Sequence, residues 1–237
     1  MLLDRATALS EKIKEYQKLK AAAKQASVYR TRAIQFGAAR TSLSETLAAL
    51  YRFDDAAIPV DFKATNADIL LENAKTLSDS FKAGPDALNL PPFNLKYEFF
   101  DRISNLSNFG RESLSQAWRS YVYAHSVNSS PGVLDALMKI SQFRASVITI
   151  KACLERIDRL ASQTPSDPGG ALKMLETLVQ EYRSAWLTIS ADGIPDSVLK
   201  FLRNSSLEGS PLSEFTEEIH KWLDSKGLLG AFRIRIG

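Results

Sequence analysis

The 237-residue sequence contains very little cysteine and histidine, the residue types that most often build disulfides, metal sites and nucleophilic triads. A single cysteine, Cys153, excludes an intramolecular disulfide, and its apolar surroundings predict a buried, small hydrophobic side chain. The two histidines, His125 and His220, lie far apart without cysteine or paired carboxylates at ligand spacing, which disfavours a zinc site and a Ser-His-Asp triad. We therefore expect no metal and no cofactor.

The sequence also lacks an uncharged apolar run approaching the ~20 residues that a membrane span requires. It has no Gly-rich phosphate loop followed by Lys-Ser or Lys-Thr. Asp4 and Arg5 place charge where a signal peptide would need its apolar segment. These absences predict a soluble, non-exported protein of the cytoplasm.

Glycine and proline are absent between Leu2 and Phe36, and their later positions divide the sequence into helical segments. We predict an all-α fold, an elongated multi-helix bundle with a long N-terminal helix and a single short C-terminal β-strand. Gly37 is expected to end the first helix, and Gly110 to interrupt a later one. Connectors rich in proline and glycine suggest three regions within one continuous domain, 1–84, 93–164 and 170–237.

Residues 133–160 are predicted to form one helix that is apolar on nearly every side, and such a helix belongs at the centre of the core. The last helix is expected to begin at Ser210 and Pro211 and to be capped at its end by Gly227.

The first predicted helix carries a heptad-like apolar stripe. Its apolar positions step by four, three, four and three residues, at Leu2, Ala6, Leu9, Ile13 and Tyr16. The stripe shifts after these residues, so that it covers two heptads of a possible coiled coil. An unbroken helix over residues 2–36 would span roughly 52 Å, and it either runs along the whole protein or projects from it.

Positive charge is concentrated at the N-terminus, although the whole chain is nearly balanced with 30 basic and 27 acidic residues. Residues 1–52 contain ten Lys/Arg and four Asp/Glu. Residues 53–110, in contrast, contain five Lys/Arg and nine Asp/Glu. This basic strip is a solvated or protein-facing helix surface, or it binds the phosphate backbone of nucleic acid or an acidic lipid surface. Its candidate nucleic-acid contacts are Lys12, Lys14, Lys18, Lys20 and Lys24, joined by Arg233 and Arg235 of the C-terminal tail.

The last seven residues, 231–237, alternate apolar and basic side chains, which is typical of a β-strand. A lone strand needs an edge to pair with. The tail therefore either adds to a partner's sheet, pairs with its own copy, or packs back on the body. With the preceding helix it would form a helix-turn-strand unit whose predicted partner-binding residues are Trp222, Leu223, Leu228, Leu229, Phe232, Ile234 and Ile236.

One short motif points to catalysis. Arg119 is followed after five residues by His125, near the end of a predicted helix. These seven residues resemble the Arg-x(4–6)-His motif of the all-helical HEPN ribonucleases. The resemblance implies that His125 acts as acid and base at the 2′-hydroxyl and that Arg119 stabilises phosphate charge. We prefer the ordinary alternative, a helix that ends in a polar histidine.

These features predict a non-enzymatic accessory or scaffold subunit of a cytoplasmic multiprotein assembly, which docks through its N-terminal helix and its C-terminal helix-strand unit. The expected partners are other protein subunits or a second copy of the chain. The alternatives are a nucleic-acid-associated subunit of a prokaryotic DNA- or RNA-processing or defence complex, and a HEPN-like ribonuclease that uses Arg119 and His125.

Overall fold

The computed structural model describes residues 2–83, 88, 90–191, 194–207 and 210–232. Over these residues the fold is all-helical, as predicted. The described residues group into two compact units: unit 1 comprises Met1–Asp54 and Pro59–Leu114, and unit 2 comprises Asp55–Ile58 and Ser115–Gly237. This division does not test the three predicted regions as domains. No helix of the described part is long and apolar enough to cross a membrane.

Helices follow one another through both units. The π-helical turn Leu95–Phe100 continues directly into the third α-helix, and 3₁₀ turns occur at Ser141–Phe143, Leu212–Glu214 and Leu229–Ala231. The α-helices are α1 (Leu2–Asp55), α2 (Ala67–Ala83), α3 (Asp101–His125), α4 (Pro131–Met138), α5 (Arg144–Ser162), α6 (Pro168–Ala191), α7 (Asp196–Leu207) and α8 (Glu217–Ser225).

The first helix is unbroken. α1 has 54 residues and spans about 80 Å at 1.5 Å per residue. The predicted end at Gly37 is therefore wrong. An interior glycine costs about 1 kcal/mol relative to alanine, and this cost is too small to end a helix in which Ala38 and Ala39 follow.

The predicted interruption at Gly110 is also wrong, because this residue lies inside α3. Here glycine has a packing role, since a Cβ at this position would lie 2.5 Å from Cγ2 of Thr46 on α1. Thr46 is buried, and its hydroxyl donates a hydrogen bond to the Ser42 carbonyl at 2.9 Å. α1 and α3 therefore approach each other closely at Gly110.

The core of unit 1 is formed by α2 together with the π-helical turn and the start of α3. The ring of Phe36 on α1 joins it, with centroids 5.8 Å from Phe99 and 5.1 Å from Phe100. Asn94 begins the π-helical turn, since its side chain accepts hydrogen bonds from two backbone N–H groups that follow it. The buried members of this core are Leu70, Leu77, Leu95, Phe99 and Ile103.

The predicted single helix over residues 133–160 is wrong, because two helices occupy this segment. α4 ends at Met138, Ile140 has an extended backbone with φ −88° and ψ 115°, and α5 begins at Arg144. No glycine or proline stands at this break. Both helices instead bury their own residues in one core, α4 with Leu137 and α5 with Ile150, so packing overrides local helix preference.

Cys153 is buried in α5, as predicted. Its thiol lies 3.7 Å from a carboxylate oxygen of Glu181 on α6. Burial first, and then the charge and the hydrogen bond of Glu181, raise the pKa of the Cys153 thiol, while the nearby Arg156 opposes this shift. The thiol therefore stays protonated near neutral pH and is a poor nucleophile.

The C-terminal segment differs from the prediction in two ways. The predicted β-strand is not supported, because Leu229–Ala231 forms a 3₁₀ turn and residues 233–237 lie outside the described residues. The last helix begins later than Ser210 and Pro211, with Thr216 as its N-cap. The cap at Gly227 is confirmed: its φ is 65°, and the Leu228 N–H donates to the Leu223 carbonyl at 2.8 Å.

Candidate docking surface on the first helix

The N-terminal part of α1 exposes every side chain that the structure describes between Leu9 and Ser27. Three large apolar residues on it, which we call the seam, are Leu9, Ile13 and Tyr16, and they are 60%, 49% and 67% exposed. Because they are spaced by four and three residues, they lie on one face of the helix. Single apolar residues at a surface are ordinary, but a stripe of them marks an interaction site.

Positive charge borders the seam. Lys12 precedes Ile13, and Lys20 follows Tyr16 by one turn; both side chains are exposed, as is Lys14. Lys18 and Lys24 also belong to α1, but their side chains lie outside the described residues. Between Glu15 and Glu45 the helix contains six Lys/Arg and neither Asp nor Glu, over about 44 Å of length. Glu11 and Glu15 are exposed beside the seam as well, so the charge is mixed at the seam and becomes positive only after Glu15.

The C-terminal residues that were predicted to bind a partner are engaged within unit 2. Leu223 and Leu228 are buried in its core, and Trp222, Leu229 and Phe232 pack against that core in a partly buried state. The centroid of the Phe232 ring lies 5.5 Å from that of Phe201. Ile234, Ile236, Arg233 and Arg235 lie outside the described residues.

Arg119 and His125 are both exposed on α3. They are six positions apart, so their side chains leave the helix in directions that differ by about 120°. The ring of His125 stacks on Tyr121 with centroids 4.0 Å apart, and its Nδ1 bonds the Tyr121 carbonyl at 2.9 Å. Because a carbonyl only accepts, Nδ1 carries the proton of this bond. The helix does not bring the two residues onto one face, and their role in catalysis stays a prediction.

Two cavities were not apparent from the sequence. The smaller, about 210 Å³, lies in unit 1 between the start of α2 and α3, and Arg102 and Asn105 line it. The larger, about 470 Å³, lies in unit 2 near the end of α3, and Lys151 lines it. Lys151 is already paired with Asp135 at 2.5 Å. Residues far apart in the sequence form each cavity, so no local pattern indicates them.

Metal ligands are not clustered in the described part of the chain, where no group of three or more His, Cys, Asp or Glu could hold an ion. No protein-family model matches the chain, and neither the curated proteins nor the solved structures gave a match. The surface of α1 must therefore be interpreted from its own chemistry.

Proposed function

We propose that the protein is a non-enzymatic helical docking subunit of a multiprotein assembly, and that it binds its partner along the N-terminal part of α1. The observation that supports this most is the exposed seam, Leu9, Ile13 and Tyr16, on a helix whose described side chains remain exposed as far as Ser27. Fully burying one such side chain stabilises a complex by about 1.5–3 kcal/mol. Three such side chains on one helix face offer a partner helix a continuous apolar contact.

The excess of positive charge that follows the seam along α1 indicates the chemistry of that partner, which we infer to be an amphipathic helix with acidic residues flanking its own apolar stripe. Parallel pairing of two copies of α1 would bring lysines such as Lys12 and Lys20 of both copies close together, and like charges at an interface disfavour binding. An acidic partner converts the same lysines into attractive contacts and accelerates encounter.

The combined substitution of Leu9, Ile13 and Tyr16 by serine should remove the partner without unfolding the protein. All three side chains are exposed, so the helical circular-dichroism signal and the melting temperature should stay almost unchanged. Quantitative affinity purification of the tagged chain from its native host, followed by mass spectrometry, should show at least about a tenfold loss of the specifically bound protein. Analytical ultracentrifugation of the purified chain tests self-association in parallel.

A matched control replaces Leu47 and Tyr51 by serine, since both are also exposed apolar residues of α1. This variant should retain the partner. Equal recovery of the same protein by the seam variant and the wild type would contradict docking at the seam. A dimer of the wild-type chain that the seam variant abolishes would contradict the acidic partner and assign the surface to a second copy.

Nucleic-acid binding is the second candidate function, and the stretch between Glu15 and Glu45, which contains no acidic residue, favours it. Each phosphate contact adds about 0.9 to the slope of log affinity against log salt concentration for duplex DNA. Replacing the five lysines by glutamine should therefore lower this slope by up to about 4.5, measured by fluorescence anisotropy with a DNA duplex. The residues replaced are Lys12, Lys14, Lys18, Lys20 and Lys24.

The seam variant serves as the control for this experiment because it retains every lysine. Its salt dependence should equal that of the wild type. Absence of binding to DNA and RNA by the wild type at low salt would exclude this second function.

A further inference from the structure

The smaller cavity, in unit 1, is built mainly on one face of α3. Arg102, Asn105, Leu106 and Phe109 follow one another at i, i+3, i+4 and i+7, which is the spacing of a single helix face. The opposite wall comes from the chain around the start of α2, including Thr65, Asn66 and Leu70. Arg102 and Phe109 are about 10 Å apart along the helix axis, so the pocket has a charged end and an aromatic end.

Arg102 is the ionisable residue among those lining the pocket. It is half-buried, yet no hydrogen bond or ion pair joins it to another described residue. Glu98, one turn earlier, has the spacing of an ion-pair partner, but its carboxylate accepts the backbone N–H of Asn94 at 3.2 Å. The Arg102 guanidinium has no counter-ion among the described residues, and an anion that binds beside it gains charge-assisted hydrogen bonds.

Three neutral polar side chains, those of Thr65, Asn66 and Asn105, complete the polar part of the wall. Within the described part of the chain, none of them forms a hydrogen bond with another group. Asn66 lies in the left-handed region with φ 66°, and its carbonyl accepts from the Leu70 N–H at 3.1 Å. This turn leads the chain into α2 while keeping both Thr65 and Asn66 at the pocket.

We propose that this pocket binds a small organic monocarboxylate with an apolar body. A single unpaired guanidinium balances one negative charge, and its planar fork matches a carboxylate through two parallel hydrogen bonds. Leu70, Leu106 and Phe109 supply the apolar contacts for the rest of the ligand. The volume of about 210 Å³ is below the roughly 300–1,000 Å³ of pockets for drug-sized molecules, so the ligand is small.

Titration of the full-length protein with 3-phenylpropanoate, followed by isothermal calorimetry and by ¹H–¹⁵N NMR spectra, tests the proposal. The wild type should bind this acid saturably. The neutral amide, 3-phenylpropanamide, should bind about tenfold to a hundredfold more weakly, because it cannot form charge-assisted hydrogen bonds with Arg102. Inorganic phosphate should also bind more weakly, since it lacks the apolar body. Arg102→Gln should weaken binding of the acid by a similar factor.

The matched control is Arg119→Gln, which removes an exposed arginine from the same helix and should leave the affinity unchanged. Asn105→Trp, at an exposed position, fills the pocket with bulk and should abolish binding even if Arg102→Gln does not fold. No binding of the acid by the wild type at millimolar concentration would overturn the proposal. Equal binding of acid and amide, or an affinity that Asn105→Trp leaves intact, would overturn it as well.

Discussion

Replacing Gly110 by alanine is expected to lower the free energy of unfolding by about 1–3 kcal/mol, the usual cost of overpacking. The new Cβ would lie 2.5 Å from Cγ2 of Thr46. Thr46 cannot turn away cheaply, because it is buried and its hydroxyl is held by the Ser42 carbonyl. The helices α1 and α3 must then separate, which loosens the core of unit 1.

Gly37→Ala is the matched comparison, and we expect the opposite sign. Gly37 lies in the same long helix α1, but no atom lies within 4 Å of the position that its Cβ would occupy. Alanine there should stabilise the protein by about 0.5–1 kcal/mol through helix preference. Urea denaturation followed by far-ultraviolet circular dichroism measures both variants. A stabilised Gly110→Ala variant would show that α1 and α3 do not pack closely.

The Trp118→Ala variant should lose about 3–5 kcal/mol of stability, a large share of the typical total of about 5–15 kcal/mol. Trp118 on α3 is 0% exposed, and its indole N–H donates to the Leu160 carbonyl at 2.7 Å. Leu160 belongs to the last turn of α5, where carbonyl groups have no partner within the helix. Trp118 therefore both fills buried volume beside α5 and satisfies a carbonyl at the end of that helix.

Trp118→Phe separates the two contributions, because it keeps most of the apolar volume and removes the hydrogen bond. It should cost about 1–3 kcal/mol, the penalty for a buried acceptor without a donor. Tyr123→Ala is the control on the same helix, and since Tyr123 is 54% exposed its effect should stay within about 0.5 kcal/mol. A loss for Trp118→Ala as small as that for Tyr123→Ala would contradict the buried position of Trp118.

Local patterns predicted much of the secondary structure. The predicted all-α class and long N-terminal helix correspond to the observed helices, of which α1 (Leu2–Asp55) is the first, and the cap at Gly227 was also correct. Periodicity and capping depend on residues within one or two turns, so a sequence contains that information.

The candidate docking surface was predictable in part. The spacing of Leu9, Ile13 and Tyr16 and the excess of lysine beside them are visible in the sequence. The sequence does not show whether such a stripe is exposed to solvent or buried. α2 also has an apolar stripe, yet its Leu70 and Leu77 are buried in the core of unit 1. The exposure of the seam follows only from the packing of the folded chain.

By itself the sequence determined the helical class, the excess of positive charge in α1 and the position of its seam, since each depends on composition or on helical spacing. Only the tertiary structure decided which glycine is required, where residues 133–160 break, and that Leu223 and Leu228 fill the chain's own core. It also decided that Arg102 lines a pocket in which no described residue pairs with it. The physical reason is that these outcomes depend on contacts between residues far apart in the chain, such as Gly110 with Thr46, and local preferences of about 1 kcal/mol cannot outweigh them.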